Sequence, residues 1–408
     1  MSWETIRLGD VAKVSSSKRI FARQYVEAGI PFYRQKEIID KKNKVEITEP
    51  LFISQETYDD IKNKFGVPHC GDLLITAVGV TLGIPYVVDD EIFYFKDGNL
   101  IWLSNFDKQI NSKYLYYWIT SDKGQKSMWS RTIGSAQPAL TIDTIKQFEI
   151  PVPHYATQCK IVDILSAYDD LIENNQKQIK LLEEAALRFY KEWFVDFRFP
   201  GYEDVEIIDG IPEGWKTCSI ADLCERIGAG GTPSRGKSNY WNNPTIKWYK
   251  TGELQDCWLI DAEEYISEDG LNNSSAKLFP KNTIIMAIYA SPTLGRLGIL
   301  SSEAACNQAA LCLVADENVI SWQWLYYKLY ELRDEFNAVA KGAGQQNISA
   351  DVAKKKEIIL PSLNVIKQFT RVSDLLFKKR FILQKQAFEL KEARDRLLPK
   401  LMSGEIEV

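Results

Sequence analysis

The chain has 408 residues, 45% of them hydrophobic and 12% aromatic, with a formal net charge of −5. This composition excludes intrinsic disorder and leaves room for two or three domains. The acidic balance excludes a chain that is basic throughout, so a role on nucleic acid would have to rest on how the charge is distributed.

In chain order, the opening MSWETIRLGD has no apolar signal core and no run reaches membrane-span length, so a cytoplasmic protein is expected. The seven cysteines form no CxxC pair and read as reduced thiols. Residues 1–44 hold ten Lys/Arg against five Asp/Glu, and 45–110 reverse this with four against eleven. The apolar run 72–77 reads as a buried strand and 112–128 as a short helix. A long helix is expected after Pro153, where extended chain gives way. A linker at 198–214 leads into a second basic stretch, 226–250, with five bases and no acid. An acidic stretch follows at 251–271, with seven acids and no base. A buried strand at 283–288, a short helix at 321–340 and a second long helix after Pro361 complete the series.

That order is a duplication. Trp3 matches Trp215, Tyr33 and Glu37 match Tyr249 and Glu253, and Thr81-Leu82-Gly83 matches Thr293-Leu294-Gly295. The run 114–117 matches 324–327, and Pro153 matches Pro361. The period is too long for a solenoid; it is that of a domain with an attached helix. One molecule therefore carries pseudo-twofold symmetry, which suits duplex DNA. Because the basic-then-acidic alternation recurs at matched places, each basic stretch reads as a phosphate-facing patch.

Both long helices carry heptads, the 3.5-residue spacing that keeps one stripe on a partner helix. In the first, Ile161, Leu165, Tyr168, Ile172, Asn175, Ile179, Leu182, Ala186, Phe189 and Trp193 follow it; in the second, Phe369, Leu376, Leu383, Leu390 and Leu397. Arg380 and Arg394 fall near the second seam. Residues 158–197 hold five bases and eight acids, and 367–400 ten and four, so the helices are expected to pair with each other. An antiparallel pair of about 40 residues would run about 60 Å and hold two mixed domains apart.

Enzymatic signatures are sparse. The two histidines, His69 and His154, have no metal-ligand spacing, and no adenine-methyltransferase motif is present. Gly231 to Ser238 formally satisfies the phosphate-loop pattern. It lacks a buried strand before it and a helix start after it, which phosphate binding requires. Nucleotide hydrolysis at 231–238 and a coiled-coil scaffold without a DNA role stand as the alternatives.

Several stretches resemble the specificity subunit of type I restriction–modification enzymes. These are Gly230-Gly231-Thr232-Pro233-Ser234 with Tyr240, Trp241 and Trp248, the run Phe189 to Phe197, the run Arg396 to Ile406, and the approaches ending at Pro153 and Pro361. One departure is Gln368, displaced relative to Gln158. The resemblance implies an α+β chain of two tandem target recognition domains, 1–152 and 215–360. The helices 153–197 and 361–404 would form an antiparallel coiled coil, with 198–214 as linker. It implies a non-catalytic subunit in which each domain reads one half of a split, asymmetric double-stranded DNA site. The coil would set the gap and dock two DNA adenine methyltransferase subunits through Ile161, Leu165, Ile172, Ile179, Leu182, Phe189, Trp193, Phe369, Leu376, Leu383, Leu390 and Leu397. No cofactor or metal is expected on this chain. S-adenosylmethionine would serve the methyltransferases, and ATP with magnesium two motor–endonuclease subunits in the restriction form.

Base reading needs side chains with donor and acceptor groups. The candidates are Lys18, Arg19, Arg34, Lys36, Ser135 and Gln137 in the first domain. In the second they are Thr232, Ser234, Arg235, Lys237, Lys250, Gln345, Gln346 and Asn347. Tyr240, Trp241 and Trp248 are expected to be core.

Overall fold

The two apolar runs expected as buried strands are Leu73–Thr76 and Ile284–Ala287, every residue buried. Continuous apolar sequence suits them, because each lies inside a sheet covered on both faces. They belong to a computed structural model that describes residues 3–132, 138–289, 293–340 and 347–408. The chain divides into two units: Met1–Ile172 with Glu389–Val408, and Glu173–Phe388. Each unit therefore contains part of both long helices, Tyr155–Phe194 and Leu363–Ser403.

In the first unit, Leu73–Thr76 lies between Leu100–Ser104 and Pro85–Val87, with Lys13–Ser15 on the far side of Leu100–Ser104. A second sheet runs Tyr25–Val26, Leu51–Ile53, Ile30–Tyr33, Tyr94–Phe95, the last pair parallel. Glu4–Arg7 pairs antiparallel with Glu149–Val152. The second unit repeats the plan. Ile284–Ala287 lies between Ala310–Ala315 and Leu297–Leu300, with Cys224–Ala229 and Cys257–Leu259 at the edges. Ile246–Tyr249 pairs parallel with Ala305–Cys306, and Lys216–Ser219 antiparallel with Glu357–Leu360. Even turn chemistry is shared. Gly83 and Gly295 take φ of +82° and +77°, the left-handed region that favours glycine. Their amides donate to Thr76 and Ala287 carbonyls at 2.8 and 2.9 Å.

The expected short helices are each broken in two: Ser112–Thr120 then Asp122–Trp129, and Trp322–Glu331 then Arg333–Val339. At the first break Ser121 Oγ donates to the Trp118 carbonyl at 2.7 Å and accepts from the Gly124 amide at 3.2 Å. A Cβ at Gly124 would lie 2.1 Å from the Trp118 oxygen, so the tight turn needs glycine.

The long helices begin at Tyr155 and Leu363, two residues past their prolines. Within the second unit they run antiparallel: Glu183 meets Arg380, while Phe189 stacks on Phe369 with centroids 5.1 Å apart. Within the first unit Asp169 meets Arg394. Of the expected seam, Ile161, Leu165, Asn175, Ala186, Phe369 and Leu383 are buried. Ile172, Ile179, Leu182, Phe189, Trp193, Leu376, Leu390 and Leu397 are half-buried. Phe377 and Leu398 are buried beside Leu376 and Leu397. The two arginines sit in the seam itself, each answered by a carboxylate from the facing helix.

Candidate nucleic-acid interface

Part of the charge alternation of each repeat is paired inside its own unit. In the first, Arg19 Nε donates to Asp97 at 2.8 Å and Lys41 pairs with Glu91. In the second, Arg235 donates to Glu264 at 2.5 Å, and Lys250 lies 2.8 Å from Glu263 and 3.2 Å from Glu264. The basic opening thus folds against the acidic continuation. A neutralised pair projects little field, so these particular side chains add little to a phosphate-facing patch. Hydrogen bonding from Arg235, more than burial opposes it, holds the Glu264 carboxyl below its ordinary pKa. Hydrogen bonds to Glu263 and Glu264 raise the Lys250 ammonium.

Arg34 is the N-cap of Gln35–Lys42, and its backbone amide donates to Glu37 at 2.8 Å while its guanidinium reaches the same carboxylate. Burial tends to raise the Glu37 pKa, but the hydrogen bonds from Arg34 and the backbone win and hold it below the ordinary value. Lys250 opens the matching 3-10 turn Thr251–Glu253, its amide donating to Glu253 at 2.7 Å. Both are capping boxes, in which one carboxylate satisfies the otherwise orphaned N-terminal amide.

The remaining candidates are scattered. Lys18 donates its backbone amide to Tyr94 at 2.6 Å and lies over the Phe65 ring. Lys36 is exposed in the first turn of Gln35–Lys42, with no ion-pair partner among the described residues. Thr232 bonds Gln308, Ser234 is exposed, and Lys237 Nζ donates to the Tyr240 hydroxyl at 2.9 Å. Asn347 forms an isolated antiparallel bridge with Tyr289. Ser135, Gln137, Gln345 and Gln346 lie outside the described residues. Among the described candidates the structure thus gathers Arg235 and Lys250 around one carboxylate and sets Arg34 beside Lys36.

The segment 231–238 is no phosphate cradle. It follows an edge strand, Cys224–Ala229, and leads into the three-residue 3-10 turn Ser238–Tyr240. Gly231, and Gly230 just before it, serve packing instead: a Cβ at Gly230 would sit 2.2 Å from the Cys306 oxygen and one at Gly231 2.1 Å from the Ser275 oxygen. Trp248 Nε1 donates to the Gly231 carbonyl at 2.9 Å, and Tyr240 and Trp248 are buried. Among the described residues no cluster of three or more His, Cys, Asp or Glu could hold a metal ion, and no helix is long and apolar enough to cross a membrane.

A model of the family described as "Type I restriction modification DNA specificity domain" matches residues 1–184 and again 212–385. The chain belongs to this family. The two matches fall on the two halves of the duplication. Among curated relatives, the Type I restriction enzyme MjaIX specificity subunit of Methanocaldococcus jannaschii is 32% identical over 73% of this chain and 69% of its own length. The MjaVIII specificity subunit of the same organism is 23% identical over 100% of this chain and 93% of its own. Among solved structures, the S subunit of a type I restriction–modification system from M. genitalium superposes with a TM-score of 0.64 at 16% identity, covering 98% of this chain and 96% of that one. That likeness establishes a specificity-subunit fold, with two mixed domains and long paired helices.

Gln35 lies between the expected candidates Arg34 and Lys36, and nothing in the local sequence marks it. Its amide nitrogen donates to the Val78 carbonyl at 2.9 Å and to Thr81 at 2.8 Å, contacts across more than forty residues of chain. The recurrence of Thr-Leu-Gly at 81–83 and 293–295 was the one signal that this turn mattered.

Proposed function

We propose that this chain is the DNA sequence-recognition subunit of a type I restriction–modification complex, without catalysis of its own. Each repeat reads one half of a split site in double-stranded DNA. The observation that carries this reading is the double family match on a duplicated chain whose two units share a framework but differ in surface residues. A duplication that reads two unlike half-sites needs that combination. The geometry of 231–238 gives no support to nucleotide hydrolysis, and the family match gives none to a scaffold without a DNA role.

The partners of this reading are two DNA adenine methyltransferase subunits, which use S-adenosylmethionine, joined in a restriction form by motor–endonuclease subunits using ATP and magnesium. Of the heptad seam, Ile161 and Leu165 are buried in the core of the first unit and Phe369 in that of the second. Docking itself falls to side chains that face solvent. The second long helix exposes Val372, Leu375 and Ile382, spaced three and seven apart and 45%, 67% and 48% accessible. Such a stripe suits a further helix.

The test is sequencing of methyladenine in the source genome with and without this gene. A split motif that disappears on deletion is the expected result. Replacing residues 215–360 with another recognition domain should change one half-site only; a change in both would overturn the modular reading. If a methyltransferase partner is expressed and deletion leaves every motif in place, the proposal fails.

A further inference from the structure

The two units keep the same scaffold around the Thr-Leu-Gly turn and differ in what they place upon it. Tyr33 and Tyr249 end equivalent strands, and Glu37 and Glu253 close equivalent capping boxes. Register aligns the walls: the Ala77 amide donates to the Asn99 carbonyl at 2.8 Å, and the Ile288 amide to the Ala309 carbonyl at 2.9 Å. On that frame the first unit has Gln35, Lys36 and Asn99 where the second has Thr251, Gly252 and Ala309. The element differs as well, an eight-residue helix against a three-residue 3-10 turn.

The substituted positions are not scattered. Gln35, Lys36, Asp40, Val78, Thr81 and Asn99 line one cleft of about 400 Å³ in the first unit. Its wall supplies two amides, a hydroxyl, an ammonium and a carboxylate, the groups that match donor and acceptor edges of bases. Gln35 is held by its nitrogen, while its Oε1 is buried without a hydrogen-bond partner. An unpaired buried acceptor is costly. A donor that reaches Oε1 from the cleft would remove that cost. Lys36 stands at the rim with no ion-pair partner among the described residues, unlike Arg19, Arg34, Arg235 and Lys250.

We propose that the cleft walled by Gln35, Lys36, Thr81 and Asn99 reads one base pair of the half-site assigned to the first unit. The inference rests on the DNA-recognition reading above and goes further by naming the residues that set specificity. A conserved frame with exchanged walls lets one fold read two sequences: the frame holds the backbone in register, and the wall alone decides which base edge is satisfied.

The experiment uses the full chain assembled with its adenine methyltransferase partner and reads methylation motifs by genome sequencing. Wild type, Gln35→Ala, Lys36→Ala and Asn99→Ala are compared, with the 215–360 exchange identifying the half-site that belongs to the first unit. The expected result is relaxation at one position of that half-site by about tenfold, within the range a good base contact discriminates, with the other half-site unchanged. An unchanged motif in Lys36→Ala and Asn99→Ala overturns the inference even if Gln35→Ala fails to fold. So does uniform loss of methylation by a variant that melts like wild type. If wild type itself directs no motif, the function proposed above fails, which separates that outcome from failure of the cleft.

Discussion

Both units close their helix pair with an arginine from the second long helix and a carboxylate from the first, yet the two ion pairs live in different surroundings. In the second unit Arg380 is 1% accessible and meets Glu183, which is 40% accessible. In the first unit Arg394 and Asp169 are 25% and 31% accessible. The buried arginine joins a network. Its guanidinium reaches Glu183 at 2.5 Å and the Asp256 carbonyl at 3.4 Å, and the Tyr326 hydroxyl donates to that carbonyl at 2.7 Å. Asp256 in turn pairs with Arg333, whose Nε donates to the Gly295 carbonyl at 2.8 Å. At the repeat-equivalent place of the first unit, uncharged Gln125 donates to the Gly83 carbonyl at 2.8 Å. The same glycine turn is held by a half-buried arginine of an ion pair in one unit and by a neutral amide in the other. Position in the fold is inherited by duplication; the electrostatic solution is not.

Four substitutions sharpen that comparison, from the largest expected effect down. Phe369→Ala removes a fully buried ring that contacts Phe189, Phe194 and Tyr190. It should cost about 4 kcal/mol, the range for deleting a core phenylalanine, seen as a lower urea midpoint. Arg380→Leu removes the partner of Glu183 and should cost about 3 kcal/mol; Glu183 keeps partial contact with water, which holds the loss to the low end for a broken buried pair. A midpoint unchanged from wild type would show that the ionic chain contributes nothing net. Arg394→Ala, at the half-exposed pair, should cost no more than about 1 kcal/mol and should shrink in high salt. A loss as large as that of Arg380→Leu would erase the distinction between the units.

The smallest effect is a pH dependence. The Glu37 carboxyl, buried and hydrogen-bonded in its capping box, titrates below the ordinary value in the folded chain. Its stabilisation is present above the unfolded value, about 4.3, and is lost as pH falls through the folded one. Glu37→Gln should therefore flatten the fall in stability below that pH, at a cost of about 1 kcal/mol near neutrality. An acid limb identical to wild type would count against a charged carboxylate in this cap.

The helices were legible because proline and a sustained heptad act locally: the starts at Tyr155 and Leu363 follow Pro153 and Pro361 directly. Fully apolar runs such as Leu73–Thr76 were legible for a similar reason, since burial on both faces leaves one composition. The break at Ser121 was not, because no proline marks it and only a serine cap with a close glycine divides the helix. Nor was the fate of the basic stretches. Arg19 and Asp97, or Arg235 and Glu264, lie far apart in sequence and are neutralised only when sheets bring them together. Gln35 was hidden for the same cause, its partners Val78 and Thr81 being remote in the chain.

The sequence by itself determined the duplication, one central strand in each repeat, the two long helices with the seam that pairs them, and the family, since each is written in local pattern or in recurrence. The tertiary structure alone decided which charges remain free, which arginine is buried and which side chains share a cleft. Those depend on distances between residues far apart in the chain, and periodicity carries no information about such distances.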